Sequence, residues 1–277
     1  MRRQFLSLLA FLAAAPAFAQ HHGHPPAQMA EWTAQPLLLP EAGRREREAA
    51  RLRAVGIAAS TLTVHAPAGE AAVRQREFHL ADGVARISSA APTIGNYHWL
   101  VLREVMEEHV RVASTAWYFG NPGPSPQELL ATAKHELEIV PQPLPREHGQ
   151  YRESEKWRFL VRLYGKPLAG QRLLMETEFG SRSTFVTDGE GVATVLFPRD
   201  FPTLERADGH RRPSAGFVLS TEHREGEHHY QTAFNLSYGP EAERTRSLAW
   251  GAAFGLAGML AASPLLRRRK SGEAKHG

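Results

Sequence analysis

The sequence predicts a mainly β protein: a β-sandwich ectodomain over residues 135–240, a further β-rich region at 57–121 before it, and one C-terminal transmembrane helix at 247–266. Three observations predict this. Short runs that alternate apolar and polar residues, bounded by Gly, Pro and Asp, recur between Leu62 and Tyr238. Leu248 to Leu266 is uncharged and ends in Arg267-Arg268-Arg269-Lys270. The first nineteen residues have the parts of a secretory signal.

Residues 1–19 open with Met1-Arg2-Arg3, continue through an apolar stretch from Phe5 to Ala14, and close on Ala17-Phe18-Ala19, the small-x-small pattern a signal peptidase cuts. The mature chain then begins near Gln20. Residues 20–40 are His- and Pro-rich with little periodicity and read as a flexible arm. Residues 41–56 carry Glu41, Arg45, Glu46, Arg47, Glu48 and Arg51 at helical spacings, which predicts a charged helix ended by Gly56.

From residue 57 the period changes to two. Leu62 and Val64 alternate, as do the runs to Phe78 and from Val84 to Ile87. Two β-branched and aromatic stretches, 96–103 and 109–119, predict strands paired across Glu104 to Glu108. Asn121-Pro122-Gly123-Pro124 breaks the pattern. Residues 122–134 read as a linker, with Ser125-Pro126-Gln127-Glu128 as a capping box for a short helix. Strands resume at 136–140, 157–164, 171–178, 182–187, 191–197, 215–221 and 228–238. Seven short strands at this spacing make a sandwich, with Trp157 as its inter-sheet core residue.

The run from Leu248 to Leu266 is nineteen residues long, enough at about 1.5 Å per residue to cross a hydrocarbon core of roughly 30 Å. The basic tail at 267–277 should stay in the cytoplasm and the ectodomain outside it. Gly251 and Gly255 stand four apart, a spacing that lets two membrane helices pack closely, as a homodimer or against another membrane protein.

Charge and cysteine content exclude several classes. The formal net charge is +4, but the leader holds two Arg and the tail five basic residues against one acid, which leaves 26 basic and 28 acidic residues from 20 to 247. A near-neutral ectodomain gives no electrostatic case for nucleic acid. With no cysteine, disulfides, thiolate metal sites and thiol nucleophiles are absent. No G-x-S-x-G, H-E-x-x-H or phosphate-binding glycine loop occurs, so the chain reads as non-enzymatic.

Two histidine clusters are candidate metal ligands. If cleavage follows Ala19, the arm starts Gln20-His21-His22-Gly23-His24; its amine, two backbone nitrogens and an imidazole can form the nitrogen square that Cu(II) and Ni(II) prefer. A solvated arm explains the same composition. The second cluster is Glu222-His223-Arg224-Glu225-Gly226-Glu227-His228-His229. With Arg224 to Glu227 as a hairpin tip, His223 and His228 face each other across about 5 Å, near His229 and carboxylates, a donor set for a divalent transition metal. A charged turn alone accounts for it equally.

Tyr164-Gly165-Lys166-Pro167-Leu168-Ala169-Gly170 followed by Val186-Thr187-Asp188-Gly189-Glu190-Gly191-Val192 reads as a strand, a turn and a hairpin closed by Asp-Gly. This resembles the Ig-like sandwiches of the prealbumin-like and carboxypeptidase-regulatory-like type. With Glu138-Ile139-Val140-Pro141 before it and His229-Tyr230-Gln231-Thr232-Ala233-Phe234 after it, the chain from Lys134 to Gly239 is similar to a periplasmic family of unknown function whose members serve as nickel/cobalt uptake components. The signal and the C-terminal span imply an inner-membrane, single-pass protein with a periplasmic domain, and the resemblance implies a part in nickel or cobalt uptake beside a transporter, which the histidines extend to Ni, Co or Cu handling. A metal-free scaffold that recruits partners through exposed strand edges is the alternative.

Overall fold

The computed structural model describes residues 30–41, 48–89, 94–120, 123–146, 149–202, 213–241 and 253–263. In chain order, β1 (Leu37–Pro40), β2 (Ala49–Val55), β3 (Thr61–His65), a single turn α1 (Ala71–Arg74), β4 (Gln75–His79) and β5 (Val84–Ser88) lead to the hairpin of β6 (Tyr97–Met106) and β7 (His109–Tyr118). After α2 (Gln127–Ala131) come β8 (Leu137–Gln142), β9 (Tyr151–Arg152), β10 (Lys156–Leu163), β11 (Lys166–Pro167), β12 (Arg172–Thr177), β13 (Arg182–Val186) and β14 (Val192–Leu196). The hairpin β15 (Ala215–Glu225) and β16 (His228–Gly239) follows. Helix α3 covers 253–263.

These strands make three layers. The middle one runs β13-β12-β15-β16-β7-β6-β3-β4, with β9 beside the end of β16. Its neighbours pair antiparallel except at β16 with β7 and at β9 with β16. The parallel pair sets His229 against His109 and Phe234 against Ser114, so the strands before residue 121 and those after residue 134 share one sheet. One face of that sheet is covered by β8, β10, β14 and β11, the other by β1, β2 and β5.

A strand covered on both faces must be apolar at successive positions and not at alternate ones. Tyr97 to Leu102 is buried at every position. Trp99 points to the first face and stacks on Phe234 with ring centroids 5.2 Å apart, above Phe159, Phe217 and Tyr151. Leu100 and Leu102 point the other way, to Leu52, Leu62, Val64 and Ile87. A smaller cluster of Leu37, Val55, Val218 and Ala233 continues that second core beneath β15 and β16. Asn235 fixes β1 there: its side-chain amide donates to Leu38 O at 2.8 Å, and its oxygen accepts from Leu38 N at 2.9 Å.

Four expectations are corrected. The predicted helix at 41–56 is, over its described part, the strand β2, paired with β1 and β5. Its charges are cross-strand partners: Arg51 Nε lies 2.8 Å from Glu41 and Arg53 bonds the same carboxylate, while Ala50 and Leu52 are buried. The flexible arm ends early, since Thr33, Leu37 and Leu38 are buried; residues 20–29 lie outside the described residues. Helix α2 forms where expected, but no side chain caps it, so the capping box is unused. Trp157 lies at the margin of the core, its Nε1 donating to Glu155 at 3.0 Å, and Phe159 takes the central position.

The Asp188-Gly189-Glu190-Gly191 segment also departs from the expected hairpin. β13 belongs to the middle sheet and β14 to the outer one, so the turn passes between layers. Asp188 Oδ1 accepts from the amides of Glu190 and Val192, both at 2.9 Å. Gly191 has φ +73°, and a Cβ there would stand 2.9 Å from Val161 O and 2.8 Å from Leu168 N, so only glycine fits the crossing.

At the other end of the chain, α3 contains no charged residue, and Leu256, Met259 and Leu260 are exposed. Among the described residues no helix is long and apolar enough to cross a membrane. The remainder of the predicted 247–266 span, the signal at 1–19 and the tail at 267–277 lie outside the described residues.

Because the halves share one sheet, they should unfold together. Phe234→Ala, which removes the ring joining β16 to Trp99 and Phe159, should cost about 3–5 kcal/mol and lower one cooperative transition. Calorimetry that resolved two transitions, with only the later-melting one moved, would contradict the shared core.

Candidate functional site

At the sheet end where β7 and β16 both begin, two hairpin turns lie side by side. Glu107-Glu108 joins β6 to β7, and Gly226-Glu227 joins β15 to β16. Gly226, at the first central position with φ +62°, supplies the conformation that a two-residue hairpin turn of the II′ type requires. His229 N donates to Glu108 O at 2.9 Å and ties the two tips together.

Directly paired residues on neighbouring strands point to the same face, so the tip presents cross-strand rows. The outermost row on the β1/β2 face is Met106, His109, His229, Arg224. The row behind it is Glu104, Arg111, Gln231, Glu222. In that inner row Arg111 donates to Glu104 at 2.9 Å, to Gln231 at 3.0 Å and to Gly56 O at 2.8 Å, and Gln231 donates on to Gln35 at 3.1 Å. These bonds close the second core at its polar end. In the outer row His229 uses both ring nitrogens: Nε2 lies 3.3 Å from Glu222 Oε2, and Nδ1 lies 3.3 Å from His109 Nδ1. The two rings meet edge to face, with centroids 5.2 Å apart.

The structure separates the predicted hairpin ligands. The turn spans two residues, 226 and 227, and not the four from Arg224 to Glu227, so His223 faces Tyr230 and His228 faces Glu225. A two-residue slip keeps His223 and His228 on one face but sets them on a diagonal. His223 Nδ1 lies 3.4 Å from Gln171 Oε1, and the His228 ring lies 6.0 Å from that of Tyr230. His229 points to the opposite face, because side chains alternate along a strand. His21, His22 and His24 lie outside the described residues, as does Gly251. Gly255 sits on α3, with nothing within 4 Å of where a Cβ would stand. Among the described residues no group of three or more His, Asp or Glu is arranged to hold a metal ion.

His109 and Met106 were not legible as members of a cluster, because the parallel neighbour of β7 lies 120 residues away. The similar composition of the two tips, Glu-Glu-His at 107–109 and Glu-His-His at 227–229, is the signal in the sequence that points to them.

A second group of charges is enclosed beneath α2. Arg162 Nε donates to Glu138 at 2.6 Å, with both side chains at most 4% exposed. The other guanidinium nitrogens donate to Ala131 O and Thr132 O, and Lys134 Nζ to Leu129 O and Thr132 O, at 2.6–2.7 Å. Cations thus satisfy the carbonyls that the end of the helix leaves open. Burial pushes Lys134 down to about 8. The His135 imidazole is enclosed here with no hydrogen-bond partner, 4.0 Å from Glu138. Burial, with Lys134, Arg162 and His65 nearby, pushes it down to about 4, against the opposing pull of Glu138.

At the far end of the sheet Asp200 accepts from Thr177, Ser181 and Tyr238 at 2.5–2.8 Å, and Glu153 accepts from Phe201 N at 2.5 Å. Both carboxylates hold loops.

No family model matches the chain, and no curated protein matches it. Among solved structures it is similar to a chain from a bacterial ice-binding adhesin of 1.5 MDa, at 9% identity and a TM-score of 0.25, covering 75% of this chain and 65% of that one. A Ca2+-stabilised adhesin of an Antarctic bacterium that binds ice gives 12% and 0.25, covering 70% and 44%. A segment of two fibronectin type III domains from chicken tenascin gives 12% and 0.22, covering 73% and 98%. The chain therefore spans less than two thirds of the length of either adhesin chain. At these scores no site residue or partner passes from those proteins to this one.

The buried histidines set a pH dependence. His135, His65 and His98 are each pushed down to about 4, chiefly by burial, so the unfolded chain takes up their protons first as pH falls. Stability should be complete above about pH 6.5 and fall progressively towards pH 4. A depression from 6.5 to about 4 at fully enclosed His135 corresponds to on the order of 3 kcal/mol. His135→Leu should flatten the acid side of a denaturation-versus-pH curve; an unchanged slope would show that His135 does not contribute to it.

Proposed function

We propose that this protein is a non-enzymatic, membrane-anchored periplasmic protein that binds a transition-metal ion as an accessory to its uptake or handling. The observation that carries the reading is His229, clamped between Glu222 on Nε2 and His109 on Nδ1. A carboxylate on one ring nitrogen fixes the proton there and turns the other nitrogen into a lone pair, the arrangement that metal-binding histidines use. Two imidazoles backed by a carboxylate suit Zn, Cu, Ni or Co and not Ca or Mg, which prefer all-oxygen sites.

Four further features agree with this role. The uncharged helix α3 with exposed Leu256, Met259 and Leu260, followed in sequence by Arg267 to Lys270, suits a membrane anchor. The leader suits export, and the arm with His21, His22 and His24 supplies a second set of donors on the same side. Tethering beside a transporter raises the local ion concentration, so weak sites act. The buried carboxylates Glu138, Glu153 and Glu176 are engaged in structural hydrogen bonds, which favours binding over catalysis.

One observation favours the scaffold alternative. Among the described residues β13 ends the middle sheet, pairing there with β12, and Val186 at 59% and Phe179 at 49% stand exposed beside it. An open strand edge of this kind recruits a partner by adding a strand.

Titration of the full chain in detergent with Ni(II), Co(II), Cu(II) and Zn(II) by calorimetry separates the two. Saturable binding should persist after His21, His22 and His24 are replaced by Ala, and disappear on further replacement of His109 and His229. Glu222→Gln should weaken it by about 10–100-fold. No binding of any ion would overturn the metal reading and leave the strand edge as the functional surface.

A further inference from the structure

We infer that the outer row of the tip is a copper site, and that Met106 is the ligand that makes it selective for Cu(I). The inference rests on the metal-binding reading above and names the ion and its ligands. Met106 stands directly across the hairpin from His109, and His109 directly beside His229. Residues so paired have Cβ atoms about 4.5–5.5 Å apart, within reach of a flexible thioether. Three potential ligands from three strands thus lie in one line on one face.

The nitrogen spacing selects a geometry. Two nitrogens held at about 2.0–2.1 Å from one ion stand about 2.9 Å apart at a right angle and about 3.3–3.4 Å apart at the tetrahedral angle. The observed Nδ1 to Nδ1 separation is 3.3 Å. That spacing fits tetrahedral coordination, is a few tenths of an ångström short of the trigonal separation of about 3.5–3.6 Å, and is wide for the square-planar preference of Ni(II) and Cu(II). The Glu222 carboxylate, 3.3 Å from Nε2 of His229, favours a proton there and a lone pair on Nδ1, and the exposed His109 ring, whose Nδ1 meets that atom at 3.3 Å, gives up its contact with His229 to present its own lone pair to an ion.

The thioether then decides the ion. Met106 is 49% exposed and fills no core, and its neighbours at the turn are Glu107 and Glu108. Thioether sulfur is a soft ligand that favours Cu(I), whereas Zn(II) takes the two imidazoles and gains little from sulfur of this kind. Arg224, next to His229 in the row, acts in the same direction. Its charge repels a divalent ion about twice as strongly as a monovalent one at the same distance.

The test uses the full chain in detergent with His21, His22 and His24 replaced by Ala, so that the arm contributes nothing. Cu(I) is titrated anaerobically against a chromophoric Cu(I) chelator, and Zn(II) in parallel. Stoichiometric Cu(I) should bind, with a sulfur neighbour visible by X-ray absorption. Met106→Leu, at an exposed position where the fold tolerates it, should weaken Cu(I) binding by about tenfold or more while leaving Zn(II) within about twofold. The sulfur signal should vanish in that variant, and His109→Ala or His229→Ala should lose both ions, with melting temperatures showing each variant folded. Met106→Leu holding Cu(I) as tightly as the parent, or no sulfur in the copper shell, would overturn the copper assignment while the metal-binding reading stands on Zn(II). Absence of binding by every ion would overturn both.

Discussion

The parallel pairing of β16 with β7 is the constraint on which the rest of the molecule depends. It joins strands 120 residues apart and makes one nine-stranded sheet from what would otherwise be two smaller ones. A parallel pair cannot be closed by a tight turn, so the connection must be long. Here it contains the α2 segment, the whole outer sheet and the β12–β15 strands. Once the pair forms, both faces of β6, β7 and β16 need cover, and the chain supplies it from opposite ends: β1, β2 and β5 from before the pair, β8, β10 and β14 from between its two strands.

Two-sided burial raises the demand on polar groups, since the inner parts of β6, β7 and β16 have no solvent face. Ser114 donates to Ala233 O and Thr115 to Asn235 O across the joint, and Asn235 bonds both backbone groups of Leu38. Each is a hydroxyl or amide placed where a backbone group or neighbouring segment can meet it. The buried Arg162–Glu138 pair works similarly. Its desolvation is offset by helix carbonyls on the remaining guanidinium nitrogens, and it locks α2 against the outer sheet. Satisfaction is incomplete: His98 Nε2, Trp99 Nε1, Tyr151 OH and both nitrogens of His135 find no hydrogen-bond partner. Aromatic packing around Trp99 and Tyr151 stabilises the sites where those polar atoms are stranded.

Local structure was readable where its cause is local. Period-two alternation found the strands, and Glu107-Glu108 and Gly226-Glu227 were placed within hairpin tips because turns demand such residues. What failed was decided at long range. Ala49 to Val55 has the Ala, Leu and Arg content of a helix, yet Glu41 pairs with Arg51 and Arg53 across a strand, and the burial of Leu52 outweighs propensity. The Asp188-Gly189 turn was visible, but its role in crossing between layers depends on Val161 of β10 and on Leu168, just past β11. At the tip, His229 and Glu222 were identified within one cluster, and His109 was not. The hairpin could be read only to within two residues of register, and the similar composition of the two tips is the one mark that β7 beside β16 leaves in sequence. Nothing in 107–109 states that a second histidine will arrive from residue 229.

The functional account needs the same joint as the fold, because the row of Met106, His109 and His229 exists only if β7 and β16 are neighbours in that register. Nuclear Overhauser contacts between the backbones of residues 110–114 and 230–234, read together with contacts between the His109 and His229 rings, measure it directly. The account predicts a parallel pattern with His229 opposite His109. Absent contacts, an antiparallel pattern, or a register displaced by one residue, which would turn the two imidazoles to opposite faces, would contradict it.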